Sequence, residues 1–400
     1  MYPTIYHLFF DWFGLDWSFL KFLNSFGFFV ALAFIAASWT LSRELLRKEN
    51  EGLLQPTKIK VITGEGPKAF DLIVQGLVGF VIGWKFLYIA LNYQTAIADP
   101  QSALLSLNGN IIGGVILGAL LAFLKYREVK KQQLPEPKEE EVLVHAADHA
   151  GNITLVAALF GILGAKLFHL LENPDELVKF FTNPSADNFF SGLTMYGGLI
   201  VGGAAVIWLF KKKGVKPLTG MDATAPGLML AYAIGRIGCH VSGDGDWGVA
   251  NTNPKPDWLT WLPDWMWSYN YPNNVISVLG ERRGGITGRR ILETDEWTAF
   301  DGYGTYLDPG VYPTAFYEVV MCTILFVVLW KVRKKLLVPG TLFCLYLILN
   351  GFERFWIEKI RVNEPFIGNI TQAEVISVIL IILGVGGWLY LRRKSAANGI

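Results

Sequence analysis

Nine apolar runs set the limits on what this chain can fold into. They fall at roughly 26–42, 69–91, 103–124, 152–171, 193–210, 221–241, 315–332, 338–357 and 371–391, each long enough to approach or cross about 30 Å of hydrocarbon. In hydrocarbon each backbone N–H and C=O must find its partner within the protein, so such runs fold as helices or not at all. Basic clusters follow alternate runs: Arg43/Arg47/Lys48, Lys125/Arg127/Lys130/Lys131, Lys211/Lys212/Lys213, Lys331/Arg333/Lys334/Lys335 and Arg392/Arg393/Lys394. The short opposite loops are poor in Lys and Arg: 92–102 has none and 172–192 has Lys179 alone. The alternation predicts an all-α, polytopic transmembrane helical protein of about nine spans, with its N-terminus outside and its C-terminus cytoplasmic.

The remaining composition agrees with that plan. Of 400 residues 52% are apolar and 17% charged, and 14 Trp, 15 Tyr and 27 Phe suit aromatic belts at the two interfaces. A net charge of +1 gives no electrostatic basis for binding nucleic acid. Cys239, Cys322 and Cys344 lie far apart with no CxxC pair, so neither a disulfide framework, a metal site nor a cofactor is expected. Met1–Phe26, with Asp11 and Asp16 among aromatics and no basic leader, reads as an amphipathic stretch on the membrane surface. The Pro-, Lys- and Glu-rich segment 133–144 reads as a solvated linker. The polar loop 243–312, with Trp258, Trp261, Trp265 and Trp267, reads as a head hugging the outer interface; its Arg282-Arg283 and Arg289-Arg290 do not oppose the orientation, because long loops escape the charge rule.

Charges at span ends carry the functional signal, because a charge in or near hydrocarbon survives where it works or is paired. Arg236, His240, Gly243 and Asp244 stand at i, i+4, i+7 and i+8, one face of a helix, with Cys239 and Asp246 beside them. Arg354, Glu358 and Arg361 form a second stripe, in which Glu358 is placed to bridge both arginines. Tyr312-Pro313-Thr314 leads to Tyr317-Glu318, and Glu318 entering a span needs Arg236 or Arg354 as partner. Arginines gathered at one depth with few compensating acids suit a phosphate head, which guanidinium grips in bidentate fashion. His145-x-x-Asp148-His149 has the spacing of a metal pair but no third ligand, and reads as a cap.

There is also an internal repeat. Gly83-Trp84-Lys85-Phe86-Leu87-Tyr88 is echoed by Gly164-Ala165-Lys166-Leu167-Phe168-His169, and Ile112-Gly113-Gly114-Val115-Ile116 by Tyr196-Gly197-Gly198-Leu199-Ile200. The glycine pairs permit close helix approach.

Four of these elements, in order, resemble the prolipoprotein diacylglyceryl transferases: Leu193-Thr194-Met195-Tyr196-Gly197-Gly198-Leu199-Ile200; Gly235-Arg236-Ile237-Gly238 through Gly243-Asp244 and Trp247-Gly248; Tyr312-Pro313-Thr314 with Tyr317-Glu318; and Arg354 with Glu358. The resemblance covers roughly 150–395, with a fainter match at Ser25-Phe26-Gly27. It implies transfer of diacylglycerol from phosphatidylglycerol to the lipobox cysteine in the signal peptide of a prolipoprotein, in the bacterial inner membrane. It further implies that Arg236 and Arg354 hold the lipid phosphate, that Asp244 takes the place of the signature's glutamate, that Tyr317 and Glu318 shape the site, and that Glu358 orients Arg354. The chain departs from the family pattern by Tyr196 and Tyr312 for His, Cys239 for Asn, Phe26 for Tyr, and one residue inserted between Gly243 and Trp247. The hairpin at 69–131 exceeds the family's seven-span plan.

Catalysis is therefore expected of Tyr196, Arg236, His240, Asp244 and Arg354, with Tyr196, His240 or Asp244 as base. Substrate contacts are expected of Gly197, Gly198, Cys239, Asp246, Tyr317, Glu318, Glu358 and Arg361. The expected organisation is an interfacial segment 1–25, a first span with the additional hairpin 26–131, a cytoplasmic linker 132–150, a transferase-like core half 151–242, a head loop 243–312 and a second core half 313–400. A non-catalytic lipid- or lipopeptide-binding protein is the alternative; a transporter fits less well, since the ionisable residues collect at one face.

Overall fold

Local signals in the sequence set several of the helix ends. The computed structural model describes residues 1–182, 192–276, 289–291, 300, 302–363 and 365–397; Arg282-Arg283 lie outside these. The helices are α1 (Ile5–Phe13), α2 (Ser25–Asn50), α3 (Ala69–Leu91), α4 (Tyr93–Ala98), α5 (Pro100–Leu105), α6 (Ile111–Gln132), α7 (Ala150–Glu172), α8 (Pro174–Thr182), α9 (Met195–Lys212), α10 (Pro217–Ser242), α11 (Thr314–Val332), α12 (Thr341–Glu358) and α13 (Gln372–Ala397). The side chains of Asn24, Asp99 and Asn110 accept hydrogen bonds from first-turn amides of α2, α5 and α6. Pro217 opens α10, and Gly243 closes it at φ 64°.

The protein is a polytopic helical membrane protein. A long helix overlaps each of the nine apolar runs, in some cases only in part. Among the described residues six helices are long and apolar enough to cross a membrane: α2, α3, α7 with the turn before it, α9, α11 and α13. The other three long helices, α6, α10 and α12, carry the polar load: a basic tail on α6, Asp222, Arg236 and His240 on α10, and Glu353, Arg354 and Glu358 on α12. The third run is displaced from its expected bounds of 103–124, because α5 stops at Leu105 and Asn110 caps a new helix. Half of the expected linker is β2 (Lys138–Val144), antiparallel to β1 (Thr57–Thr63). Diagonal Lys58–Glu141 and Lys60–Glu139 contacts of 3.5 and 3.3 Å match the two strands, a complementarity hidden by the 75 or more residues between them.

The chain forms two compact groupings, residues 1–54, 149–154 and 207–400, and residues 55–148 and 155–206. In the second grouping the repeat is also a repeat of contacts. A Cβ on Gly113 would strike Gly83 O and Leu87 Cβ; one on Gly197 would strike Gly164 O and Phe168 Cβ. The Asn110 amide donates to Trp84 O at 2.8 Å, and the Thr194 amide donates to Ala165 O at 3.1 Å. Each hairpin is closed by glycine faces that allow backbone-to-backbone approach. Gly164→Val would place a branched side chain where even a Cβ lies 2.9 Å from Val201 Cγ2. A loss of about 1–3 kcal/mol is expected from overpacking, read as a lower unfolding temperature in detergent. Gly203→Val, at a position open for 4 Å, is the control expected to leave it unchanged.

In the first grouping α10 is the central helix, packed on α2, α11 and α12, with α13 against α12. Ala225, Met229 and Ala233 meet Cys322, Leu329 and Leu342 in its core. Gly227, next to the in-helix Pro226, sits against Thr40 and Ala37 of α2, and Gly238 sits against Phe26 and Phe29. Buried Asp222 reaches from α10 to accept the amides of Gly340 and Phe343, each at 2.8 Å, capping α12 from outside. The head between α10 and α11 has its own core of Trp247, Tyr271, Leu307 and Val311. Of the four tryptophans expected at the interface only Trp258 and Trp261 are exposed; Trp265 packs on Phe316 and Trp267 on Tyr312.

Candidate active site

Glu318, one turn into α11, has no exposed surface and is the hub of a charge cluster. Arg236 Nε from α10, Arg354 Nη1 from α12 and Arg361 Nη1 from the segment after α12 each lie 3.2 Å from one of its oxygens. Tyr232 Oη donates to Glu318 Oε1 at 2.7 Å. Arg236 and Arg361 also clasp the two oxygens of Asp246. Arg354 Nη2 stands 3.0 Å from Glu358 Oε2 without hydrogen-bond alignment, and Asn363 donates to Glu358 Oε1 at 2.5 Å. Both expected partners of Glu318 are thus present, with Arg361 as a third.

The backbone explains how distant residues meet. The Gly248 amide donates to Tyr312 O at 2.8 Å and the Val249 amide to Ile360 O at 2.9 Å, so residues 246–249 are stitched between the start of α11 and the end of α12. A side chain at Gly248 would collide with Ile360 O, at 2.6 Å from its Cβ. Thr314 Oγ1 holds Asp246 O at 3.0 Å.

Three sequence expectations need correction. The stripe from Arg236 to Asp244 is not one helical face, because α10 ends at Ser242 and left-handed Gly243 turns the chain away. His240 instead faces aromatics: its Nδ1 is 3.2 Å from Tyr271 Oη, and its ring packs near Trp265, Tyr269 and Phe316. Glu358 does not bridge both arginines, because α12 stops at Glu358 and Arg361 pairs as extended backbone with Gly248. The arginines are also not short of acids. Glu318, Asp246 and Glu358 balance the three guanidinium groups, leaving donors rather than net charge: Arg361 Nε is buried with no acceptor.

Asp244 and Asp246 lie in the turn beyond α10. Burial alone would raise Asp246, but Arg236 and Arg361 outweigh it and hold its carboxyl at about 2. Burial and the neighbouring Asp246 charge raise the Asp244 carboxyl from its ordinary value. Cys239 Sγ is 3.7 Å from both Arg236 Nη1 and Asp246 Oδ2. Donor atoms of Cys239, Asp244 and Asp246 lie within 4.8 Å of one another, but a cation there would face the guanidinium groups already on Asp246. Tyr317 turns into the head, donating to Met266 O at 2.7 Å, and lines a 360 Å³ apolar recess with Leu259, Leu262, Met266, Trp267 and Ile360. Tyr196, Gly197 and Gly198 belong to the second grouping, where both glycines pack against α7.

Sequence reasoning missed two residues. Tyr232 stands one turn before Arg236, whose guanidinium lies 5.2 Å from its ring centroid, so the i, i+4 spacing carried the signal. Glu353 is 3% exposed and neither carboxyl oxygen has a hydrogen-bond partner. Its position inside an apolar run, directly before Arg354, is the signal that points to it.

The family model for prolipoprotein diacylglyceryl transferase matches residues 132–390, beginning where the α3–α6 hairpin ends. A phosphatidylglycerol–prolipoprotein diacylglyceryl transferase of Dehalococcoides mccartyi is 29% identical over 254 residues, 62% of this chain and 81% of the relative. One of Streptococcus agalactiae is 23% identical over 291 residues, covering 70% and 90%. One of Staphylococcus aureus is 28% identical over 267 residues, covering 64% and 79%.

Proposed function

The chain belongs to the prolipoprotein diacylglyceryl transferase family, and from that premise we propose that it transfers the diacylglyceryl group of phosphatidylglycerol to the lipobox cysteine thiol of a prolipoprotein, the first step of lipoprotein maturation. It is a multi-pass protein of the bacterial inner membrane, and the alternating basic clusters support an N-terminus outside and a C-terminus in the cytoplasm. The observation that carries the reading is the convergence of Arg236, Arg354 and Arg361 on one buried carboxylate, with a guanidinium N–H left over.

In the proposed reaction the thiol gives its proton to a base and the thiolate attacks the terminal glyceryl carbon. The C–S bond forms as the C–O bond to phosphate breaks, and the electron pair leaves with glycerol phosphate. Guanidinium groups already fixed by Glu318 and Glu358 stabilise charge growing on that oxygen without reorganising. Because the resting cluster is neutral, the lipid phosphate enters by taking the place of Asp246, whose side chain is the most exposed acid of the group at 36%. Asp244 is the base we favour. Its carboxyl, raised by burial and by the Asp246 charge, lies within 4.8 Å of Asp246 at the edge of the arginine cluster, whereas the Tyr196 phenol, with a reference value of about 10, is a weak base and His240 is turned toward Tyr271.

The test is the purified protein with phosphatidylglycerol and a lipobox peptide, scored by mass. A thioether-linked diacylglyceryl peptide is expected. Peptide and lipid binding with no such product would replace transfer by a binding role.

A further inference from the structure

Helix α11, which carries Glu318, and α2, which packs on α10, also build a second polar recess at their other ends. Along α11, Trp330 lies 12 residues beyond Glu318, roughly 18 Å at the helical rise. Along α2, Arg43 is 14 residues beyond Phe29, which abuts the Arg236 end of α10. The recess has a volume of 480 Å³ and is lined by Trp39, Arg43 and Arg47 of α2 and by Trp330, Arg333 and Lys334, with Glu44 and Glu51 as the acids.

Those acids are already committed. Glu44 is 1% exposed; it takes Arg47 Nη2 at 2.8 Å and Arg333 Nε at 2.6 Å. Glu51 takes Arg47 Nη1 at 2.7 Å. Arg43 and Lys334 have no carboxylate partner among the described residues. Trp39 and Trp330 stack at 6.3 Å and 19°, with Arg333 lying 3.4 Å from the Trp330 centroid and Arg43 5.7 Å from that of Trp39. The result is a preorganised pair of arginines, two uncommitted cations, and indoles at the depth where interfacial tryptophans sit. The positive excess calls for an anion, and the planar guanidinium groups suit phosphate. Toward the hydrocarbon, exposed Ile35 and Val327 stand one turn from Trp39 and Trp330 on the same two helices and continue the recess with apolar surface, which free phosphate does not need and acyl chains do.

We propose that this recess binds the phosphate head of an anionic phospholipid in the leaflet opposite the Glu318 cluster. The site is separate from the transfer chemistry and stands or falls without it.

The experiment places the full-length protein in neutral phosphatidylcholine nanodiscs doped with phosphatidylserine and counts retained lipids by native mass spectrometry. The double variant Arg43→Ala/Lys334→Ala leaves the Glu44 lock intact. It is expected to hold one phosphatidylserine fewer, with affinity at this site down roughly tenfold or more, since each interfacial cation contributes to anionic-lipid binding. Transfer activity and phosphatidylcholine retention are expected to stay at wild-type levels. The single variants Arg43→Gln and Lys334→Gln, each with a partial loss, serve if the double variant unfolds early. Equal phosphatidylserine retention in wild type and variants overturns the site. Displacement of the lipid by excess inorganic phosphate overturns the lipid assignment in favour of a free-anion site.

Discussion

Arg236→Ala is expected to lower the rate of diacylglyceryl transfer by about 10²–10³-fold, the usual effect of removing one preorganised donor from a site where charge develops. Arg236 is one of three guanidinium groups on Glu318 and one of two on Asp246, so its loss leaves each carboxylate with another cation. Folding is therefore expected to survive where transfer does not. Arg236→Lys recovers only part of the rate, because a point charge cannot span Glu318 and Asp246 as the planar fork does. Turnover of phosphatidylglycerol and lipobox peptide, measured beside the thermal unfolding curve, separates the two effects. Wild-type turnover in Arg236→Ala would remove this arginine from the chemistry.

Glu318→Ala is expected to cost about 3–5 kcal/mol of stability, toward the lower figure, because removing one partner of a buried ion group leaves the others uncompensated. Three arginines and the Tyr232 hydroxyl lose a common acceptor. Asp246 and Glu358 still serve those arginines, which sets the lower figure. Glu353→Gln provides the contrast: its carboxyl is also buried but has no hydrogen-bond partner, so replacing it by an amide of the same shape is expected to leave stability unchanged or raised. Chemical denaturation in mixed micelles measures both. Equal destabilisation of the two variants would mean that partner count at Glu318 does not matter.

The helical plan and the members of the cluster were legible because both follow from elementary costs. A charge in an apolar run must be paired, which is why Arg236, Glu318 and Arg354 stood out and why they meet. The glycine repeat was legible because small residues at fixed helical spacing have few uses besides close packing. What failed to show depended on the chain leaving a helix. Arg361 continues the i, i+7 stripe of Arg354 in sequence, yet α12 ends first and the side chain swings to Glu318 and Asp246. His240 is placed by head residues some 30 positions downstream, and the β1–β2 ladder by strands that no local pattern links. Tertiary hydrogen bonds through Gly248, not periodicity, bring Asp246 to the arginines.

If phosphate displaces Asp246 as proposed, the clasp on that carboxylate has a kinetic consequence. A carboxylate tethered two residues from the buried Gly248 ribbon competes with any incoming anion at the high effective concentration of an intramolecular ligand. A small soluble phosphate that arrives without further anchorage is readily expelled. A lipid, held also by its tails, can win the exchange, and once the bond to those tails is cut the spent head group loses that advantage. On the proposed reading, release is built into the resting state, and the site is expected to discriminate against its own leaving group by keeping a stand-in always at hand.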